Sequence, residues 1–352
     1  MSDELRARMS EADAAHWDEI QRWKYAQMRP IRPRPVTQRV RSAALAPLGK
    51  AVALARKVPG GEALTRTVSA ATLGLVELAA SASEASVRRK RILKAYRAAG
   101  HEVKTLQDIR SLKLDDVLSV KPRLSLAYST TAAAEGAVSG VFASGGFVAA
   151  VLGAGVASAP GVGVTASAIA VDITTFLAAA TRLVAHTAAY YGYDSEDPTE
   201  RLFSTMVLSQ AIDPAGSGHD FVVEKQTTML AFNKVMRDLV GRGSLDGLGG
   251  NVIVSAMNSL FSAMGVRLAS RKLAQIIPVA GVVVSAGMNA ALMRTIGETA
   301  DHLYRERFLA ELYGRLQTRE GESTDVARPT GVQELSADVA RYVELAEAES
   351  RQ

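Results

Sequence analysis

Cysteine is absent from the 352 residues of this sequence, and aromatic residues are few. The first absence excludes disulfides, thiolate nucleophiles and thiolate metal sites, and it fits a reducing cytoplasm. Strands are typically rich in aromatic residues and alternate apolar with polar side chains, and this chain has neither feature. Because alanine is abundant instead, we predict an all-α fold of long helical hairpins packed in a bundle.

Charge is absent from one long segment. No charged residue lies between Glu135 and Asp172, and the segment is rich in Gly, Ala, Ser and Val. Proline and glycine end a helix, so the Pro160-Gly161 break predicts that residues 131–191 form an Ala/Gly-rich central hairpin, whose second helix begins near Gly163. Each helix could cross a bilayer, but small side chains and Asp172 favour burial in protein or reversible membrane contact over stable spanning.

Acidic residues are absent between Ile20 and Gly61, the most polarised part of a chain whose net charge is +5. Prolines in this part predict an extended linker. We expect a basic arm here to bind an anionic surface, with a membrane or lipid as the partner and nearby aromatic residues as interfacial anchors. A solvated arm without a specific partner is the alternative. The arginines of the arm are Arg29, Arg32, Arg34, Arg39 and Arg41, and the aromatic residues are Trp17, Trp23 and Tyr25.

A second basic run, from Val87 to Ala98, predicts a short helix with Ile92, Leu93 and Tyr96 on its buried side. Such a run can bind nucleic acid. We do not expect nucleic acid as a partner, because interleaved aromatic residues and base-reading motifs are missing.

An acidic turn follows the apolar stretch. Gly192 is predicted to close one helix, and Pro198 to lie near the first turn of the next. The three acids between them could gather a hard cation such as calcium, although the loop of an EF-hand is missing. We favour helix capping, which explains the same acids without a metal. The acids are Asp194, Glu196 and Asp197.

These motifs resemble the EcsC family, a bacterial family named after a protein that is encoded beside an ABC transporter implicated in protein secretion. The resemblance covers roughly residues 80–313, and the acidic turn is its most specific part. It implies a helical, membrane-associated protein of unsettled biochemical function. The matching motifs are Asp172, Tyr191-Gly192-Tyr193-Asp194, Glu196-Asp197-Pro198, Glu200-Arg201-Leu202-Phe203, Ile276-Ile277-Pro278-Val279-Ala280-Gly281 and Tyr304-Arg305-Glu306-Arg307-Phe308-Leu309.

Glu135 and Asp172, the two acids at the ends of the charge-free stretch, are the best candidates for function. Each must find a hydrogen-bond partner or take up a proton if it is buried, and a purely structural role at a helix crossing is the alternative. No complete catalytic motif, metal site or cofactor site is predicted. The candidate functional residues are Glu135, Asp172, His186, Tyr191, Gly192, Tyr193, Asp194 and Asp197.

We divide the chain into a basic arm and linker (1–61), an EcsC-like helical domain (62–315) and a polar linker with an acidic C-terminal helix (316–352). The leading hypothesis is a non-enzymatic, lipid-contacting protein, cytoplasmic and peripheral to the inner face of the membrane. One alternative is a hydrolase with a site near Asp172 and the turn from Tyr190 to Asp197. Another is a structural subunit of a larger assembly, so a protein partner also stays open.

Overall fold

The computed structural model describes residues 2–27, 87–135, 162–212, 219–242, 249–273, 283–319 and 332–351. This part of the chain is helical and contains no strand, which confirms the predicted all-α fold. In chain order the helices are α1 (Ser2–Arg6), α2 (Glu11–Gln27), α3 (Arg89–Ala98), α4 (Leu106–Ile109), α5 (Leu114–Val120), α6 (Leu124–Glu135), α7 (Val162–Tyr190), α8 (Pro198–Ala211), α9 (His219–Arg242), α10 (Gly250–Leu273), α11 (Val283–Arg319) and α12 (Val332–Arg351).

Helix α8 lies at the centre of the described helices. Every residue from Leu202 to Ala211 is buried, and all of these side chains except Gln210 are apolar or small. A helix of this kind is stable only when neighbours enclose it, because no face of it suits water. Helices α7, α9, α10 and α11 pack around it.

Helix α11 is 37 residues long and links several parts of the fold. It packs extensively along α6 and also on α7, α8, α9 and α2. Gly297 allows the close approach of α6, since a Cβ atom at this position would lie only 2.6 Å from the Cβ atom of Ser125. The absence of a side chain therefore sets the distance between these two helices.

The N-terminal helix α2 packs on α11. Trp17 and Ile20 are buried in the core, and the Tyr313 hydroxyl donates to Asp13 at 2.6 Å. The ring of Trp23 stacks on a residue of α11 but is only partly buried, and Tyr25 is 64% exposed. The prediction of an interfacial anchor is wrong for Trp17, whose ring is buried, and it stays a prediction for Trp23 and Tyr25.

The C-terminal helix α12 folds back onto α9 and α10 through an apolar stripe. Leu335, Val339, Tyr342 and Ala346 form that stripe and are all buried. The Tyr342 hydroxyl donates to the carbonyl of Met206 at 3.0 Å, which ties α12 to α8. The division of the chain into three domains stays a prediction.

The described residues include only part of the predicted central hairpin. Helix α7 begins at Val162, close to the expected start, whereas the first arm of the central hairpin after Glu135 lies outside the described residues. Helix α10 packs mainly on α12 and α8, and α11 mainly on α6 and α7. None of the described helices has the length and apolar character needed to cross a membrane.

Candidate functional site

The acidic turn begins where α7 ends, at a glycine in the left-handed region. Gly192 has a φ of +85° and donates to the carbonyl of Ala189, while the Tyr193 amide donates to that of Ala188 at 3.0 Å. This pair of bonds is the Schellman motif, in which glycine is preferred because a Cβ atom strains the conformation. A Cβ atom at Gly192 would also lie 2.6 Å from the carbonyl oxygen of Leu106. The predicted helix end is confirmed.

Tyr191 is buried beside a charged group on α11. Its hydroxyl donates to Asp301 at 2.8 Å, and Asp301 forms ion pairs with Lys121 at 2.7 Å and with Arg305. Burial acts to raise the pKa of Asp301, but Lys121 and Arg305 outweigh it and hold the pKa at about 2. The carboxylate is therefore ionised at neutral pH.

Tyr193 lies between two guanidinium groups in a buried ion cluster. The Arg307 guanidinium lies 4.0 Å from the ring centroid and that of Arg110 lies 4.9 Å from it. Arg307 donates to both oxygens of Glu200, one of them at 2.7 Å, and to Glu311 at 2.8 Å, while Arg110 also pairs with Glu311. Burial raises the pKa of Tyr193 well above its usual value, so the hydroxyl stays protonated. We call these five residues the buried ion cluster.

The acids of the turn bind protein groups. Asp197 caps α8 by accepting from the amide of Thr199 at 2.8 Å and from its hydroxyl at 2.7 Å, which confirms the capping prediction for this one of the three acids. Asp194 accepts from Arg89 at 2.9 Å, and Glu196 pairs with the same guanidinium. In the described part of the chain, no three acidic or histidine side chains gather as metal ligands.

His186 lies in α7, one turn before the acidic turn. Its Nδ1 atom is 3.3 Å from the Tyr128 hydroxyl, and its ring centroid is 5.5 Å from that of Tyr190. Burial lowers the pKa of His186 to about 4, with help from Arg182 and Arg91, so the ring is neutral at neutral pH. Helix α6 ends at Glu135, and Asp172 is in α7, but both side chains lie outside what the structure describes, so their roles stay predictions.

Helix α3 presents an exposed basic face beside the turn. Ile92 and Tyr96 are buried on its inner side, and the Tyr96 hydroxyl donates to the carbonyl of Tyr190 at 2.6 Å. Its outer side chains form no ion pair with any described residue. We call these side chains, Arg88, Lys90, Arg91 and Lys94, the α3 basic face. The basic arm predicted to bind an anionic surface lies outside the described residues.

Residues 146–309 match the EcsC protein family. The chain contains an EcsC family domain. Within the described residues, the match takes in α7, the acidic turn, α8, α9, α10 and most of α11. Helices α2, α3, α6 and α12 lie outside the matched residues but pack on the EcsC domain. No curated protein and no solved structure matches the chain.

A polar cleft of about 150 Å³ opens where α6 and α7 meet α11 of the EcsC domain. His302, on one side, stacks on Trp23 with ring centroids 4.5 Å apart. The residues that line the cleft come from segments far apart in the sequence, so no local motif predicts it. Its polar lining includes Lys121, Arg123, Ser125, Thr187, Asp301 and His302.

Proposed function

We propose that the protein is a non-enzymatic protein of anionic membrane surfaces, peripheral to the cytoplasmic face and contacting lipid through its apolar helices. The observation that supports this proposal best is the α3 basic face: four exposed cations without an ion-pair partner among the described residues. Near an anionic membrane each base contributes about 1 kcal/mol, so four bases on one short helix favour attraction.

The attachment of α3 supports a surface role. Arg89, on the same helix, pairs with Asp194 and Glu196, and Tyr96 is anchored to Tyr190. These contacts hold the inner side of the helix against the acidic turn, so the outer cations project from a supported helix. A charged surface held in this way loses less side-chain and backbone freedom on binding than a free arm does.

The sequence also contains an apolar element. Helix α6 leads into the charge-free segment that ends at Asp172, and Leu126 on α6 is 54% exposed. Small and apolar side chains beside cations are typical of segments that lie reversibly at a membrane interface. The predicted basic arm would add to the same attraction.

The turn itself is better explained as a structural element than as a hydrolytic site. Tyr191 and Tyr193 are buried, Asp197 caps a helix, and Asp194 pairs with Arg89. Tyr191, Asp194 and Asp197 each bond another protein group, the Tyr193 ring packs between two guanidinium groups, and the neutral His186 contacts aromatic residues. The contacts of the turn thus give the hydrolase hypothesis no support.

Co-sedimentation of the full chain with vesicles tests the proposal. We expect binding to vesicles that contain phosphatidylglycerol, little binding to phosphatidylcholine vesicles, and weaker binding at 0.5 M than at about 0.1 M salt, where the Debye length is ~10 Å. Equal binding to both kinds of vesicle, or no binding to either, would contradict the proposal.

A further inference from the structure

The cleft between α6 and α11 is rich in unused hydrogen-bond donors. The Lys121 side chain is 12% exposed. It donates one of its three N–H groups to Asp301 and has no other hydrogen-bond partner in the described chain. Arg123 is exposed and forms no ion pair with a described residue. Ser125 adds a hydroxyl at the start of α6. These three residues supply donors from one short stretch of chain.

Each carboxylate that lines the cleft is paired with a cation. Asp301 accepts from Lys121 and from the hydroxyl of Tyr191, and it pairs with Arg305. Glu298 pairs with Arg294 at 2.8 Å. A ligand therefore meets free donors and neutralised carboxylates, which is the environment that an oxyanion requires.

His302 adds a further polar atom. Its Nδ1 atom lies 2.7 Å from the carbonyl oxygen of Glu298, and a carbonyl only accepts, so Nδ1 carries a proton. The stacking on Trp23 holds the ring in place. The Nε2 atom is 3.9 Å from Glu19, beyond hydrogen-bonding distance.

The size of the cleft limits the ligand. About 150 Å³ is well below the ~300–1,000 Å³ of pockets for drug-sized molecules, but it is ample for one small oxyanion. Lysine and arginine together suit a phosphate group, because guanidinium can bind two of its oxygens and ammonium can neutralise a third.

We infer that this cleft binds the phosphate group of a phosphate monoester, held by Lys121, Arg123 and Ser125. The inference does not rest on membrane binding, because a soluble phosphate compound and a lipid headgroup present the same group. Asp301 is a positioning residue here. Its ion pair orients Lys121, and it does not itself bind the oxygens of the phosphate group.

Calorimetric titration of the full chain with inorganic phosphate, at constant ionic strength, tests the inference. We expect saturable binding at one site by the wild type, and affinity about tenfold or more weaker in Arg123→Gln, because a charge-assisted bond is lost. Arg123→Lys should retain part of the affinity. The matched control is Arg237→Gln, an exposed arginine on α9 that does not line the cleft and should leave binding unchanged.

Two further titrations distinguish the source of the phosphate. Glycerol 3-phosphate and a soluble short-chain phosphatidic acid are compared, both in the wild type and in Arg123→Gln. Equal binding of the two supports a site for the phosphate group alone, and binding of the lipid alone supports a site for a lipid headgroup. Absence of saturable binding for all three compounds, or equal affinity in Arg123→Gln, would overturn the inference. These titrations do not measure vesicle binding through the α3 basic face, so no outcome of them supports or contradicts the proposed function.

Discussion

Arg307 is a fully buried cation whose guanidinium meets two carboxylates and two aromatic rings. Charges are buried only when their partners replace the lost water, and Glu200 and Glu311 do so here. Because Tyr193 and Phe203 cover its faces, the guanidinium also joins the acidic turn to α8. A structural requirement explains this arginine without any catalytic role.

Replacement of this residue tests the buried ion cluster. Arg307→Met should destabilise the protein by about 3–5 kcal/mol, because it leaves Glu200 buried without its cation. Urea unfolding followed by circular dichroism measures the change. Arg294→Met on the same helix is the matched control, since its ion pair with Glu298 is 68% exposed on the arginine side, and a change within about 0.5 kcal/mol is expected. Equal effects of the two would contradict a structural role for the cluster.

Two glycines with positive φ form a second matched pair. Gly192→Ala should cost more stability than Gly100→Ala, because both positions are left-handed but only the first meets neighbouring atoms. The left-handed conformation alone costs about 1–2 kcal/mol. The clash with the carbonyl of Leu106 adds to that cost at Gly192. Thermal unfolding of both variants gives the comparison, and a smaller loss for Gly192→Ala would refute this account of the turn.

Local chemistry made part of the candidate site predictable. Gly192 as a helix end and Asp197 as a cap each follow from rules that involve neighbouring residues only. The pair of Glu200 with Arg307 does not, since the two residues are 107 positions apart and nothing in either motif specifies the other. The cleft could not be predicted for the same reason, since Lys121, between α5 and α6, pairs with Asp301 of α11, 180 positions later in the sequence.

At the level of elements, the distance between α6 and α11 depends on one glycine. Gly297→Ala should destabilise the protein by about 1–3 kcal/mol, because the new methyl group meets Ser125 and the helices must move apart. Gly314→Ala on the same helix is the control. No described atom lies within 4 Å of a Cβ atom there, so the higher helix propensity of alanine should stabilise the protein by roughly 0.5–1 kcal/mol. Denaturant titration that shows the same sign for both variants would contradict the close crossing.

The periodicity of the sequence predicted where helices lie better than it predicted which helices pack together. The basic run predicted α3, and the Pro160-Gly161 break predicted the start of α7 within a few residues. Apolar faces do not identify the helix that covers them, so the extensive packing of α6 along α11 was not predicted. The burial of Trp17 could not be predicted either, because it depends on where α2 packs.

At the scale of the whole molecule, helices outside the family match complete the fold. Helix α2 is joined to α11 through Lys24, which pairs with Glu306 and donates to Asn233 at 2.7 Å. Helix α12 covers α9 and α10. The basic arm therefore follows in sequence a helix that is packed on the EcsC domain, and α3, which Arg89 joins to the acidic turn, presents further cations on its exposed side.

The most direct test of membrane attraction compares vesicle binding of two variants with equal loss of charge. The first neutralises the α3 basic face by Arg88→Gln, Lys90→Gln, Arg91→Gln and Lys94→Gln. The second neutralises four exposed basic residues elsewhere in the described chain, by Lys104→Gln, Lys113→Gln, Arg237→Gln and Arg341→Gln. Sedimentation with phosphatidylglycerol vesicles at about 0.1 M salt should show a loss of ~100-fold or more for the first variant, at about 1 kcal/mol for each base, and a small loss for the second. Equal losses, or unchanged binding of the first variant, would contradict the account.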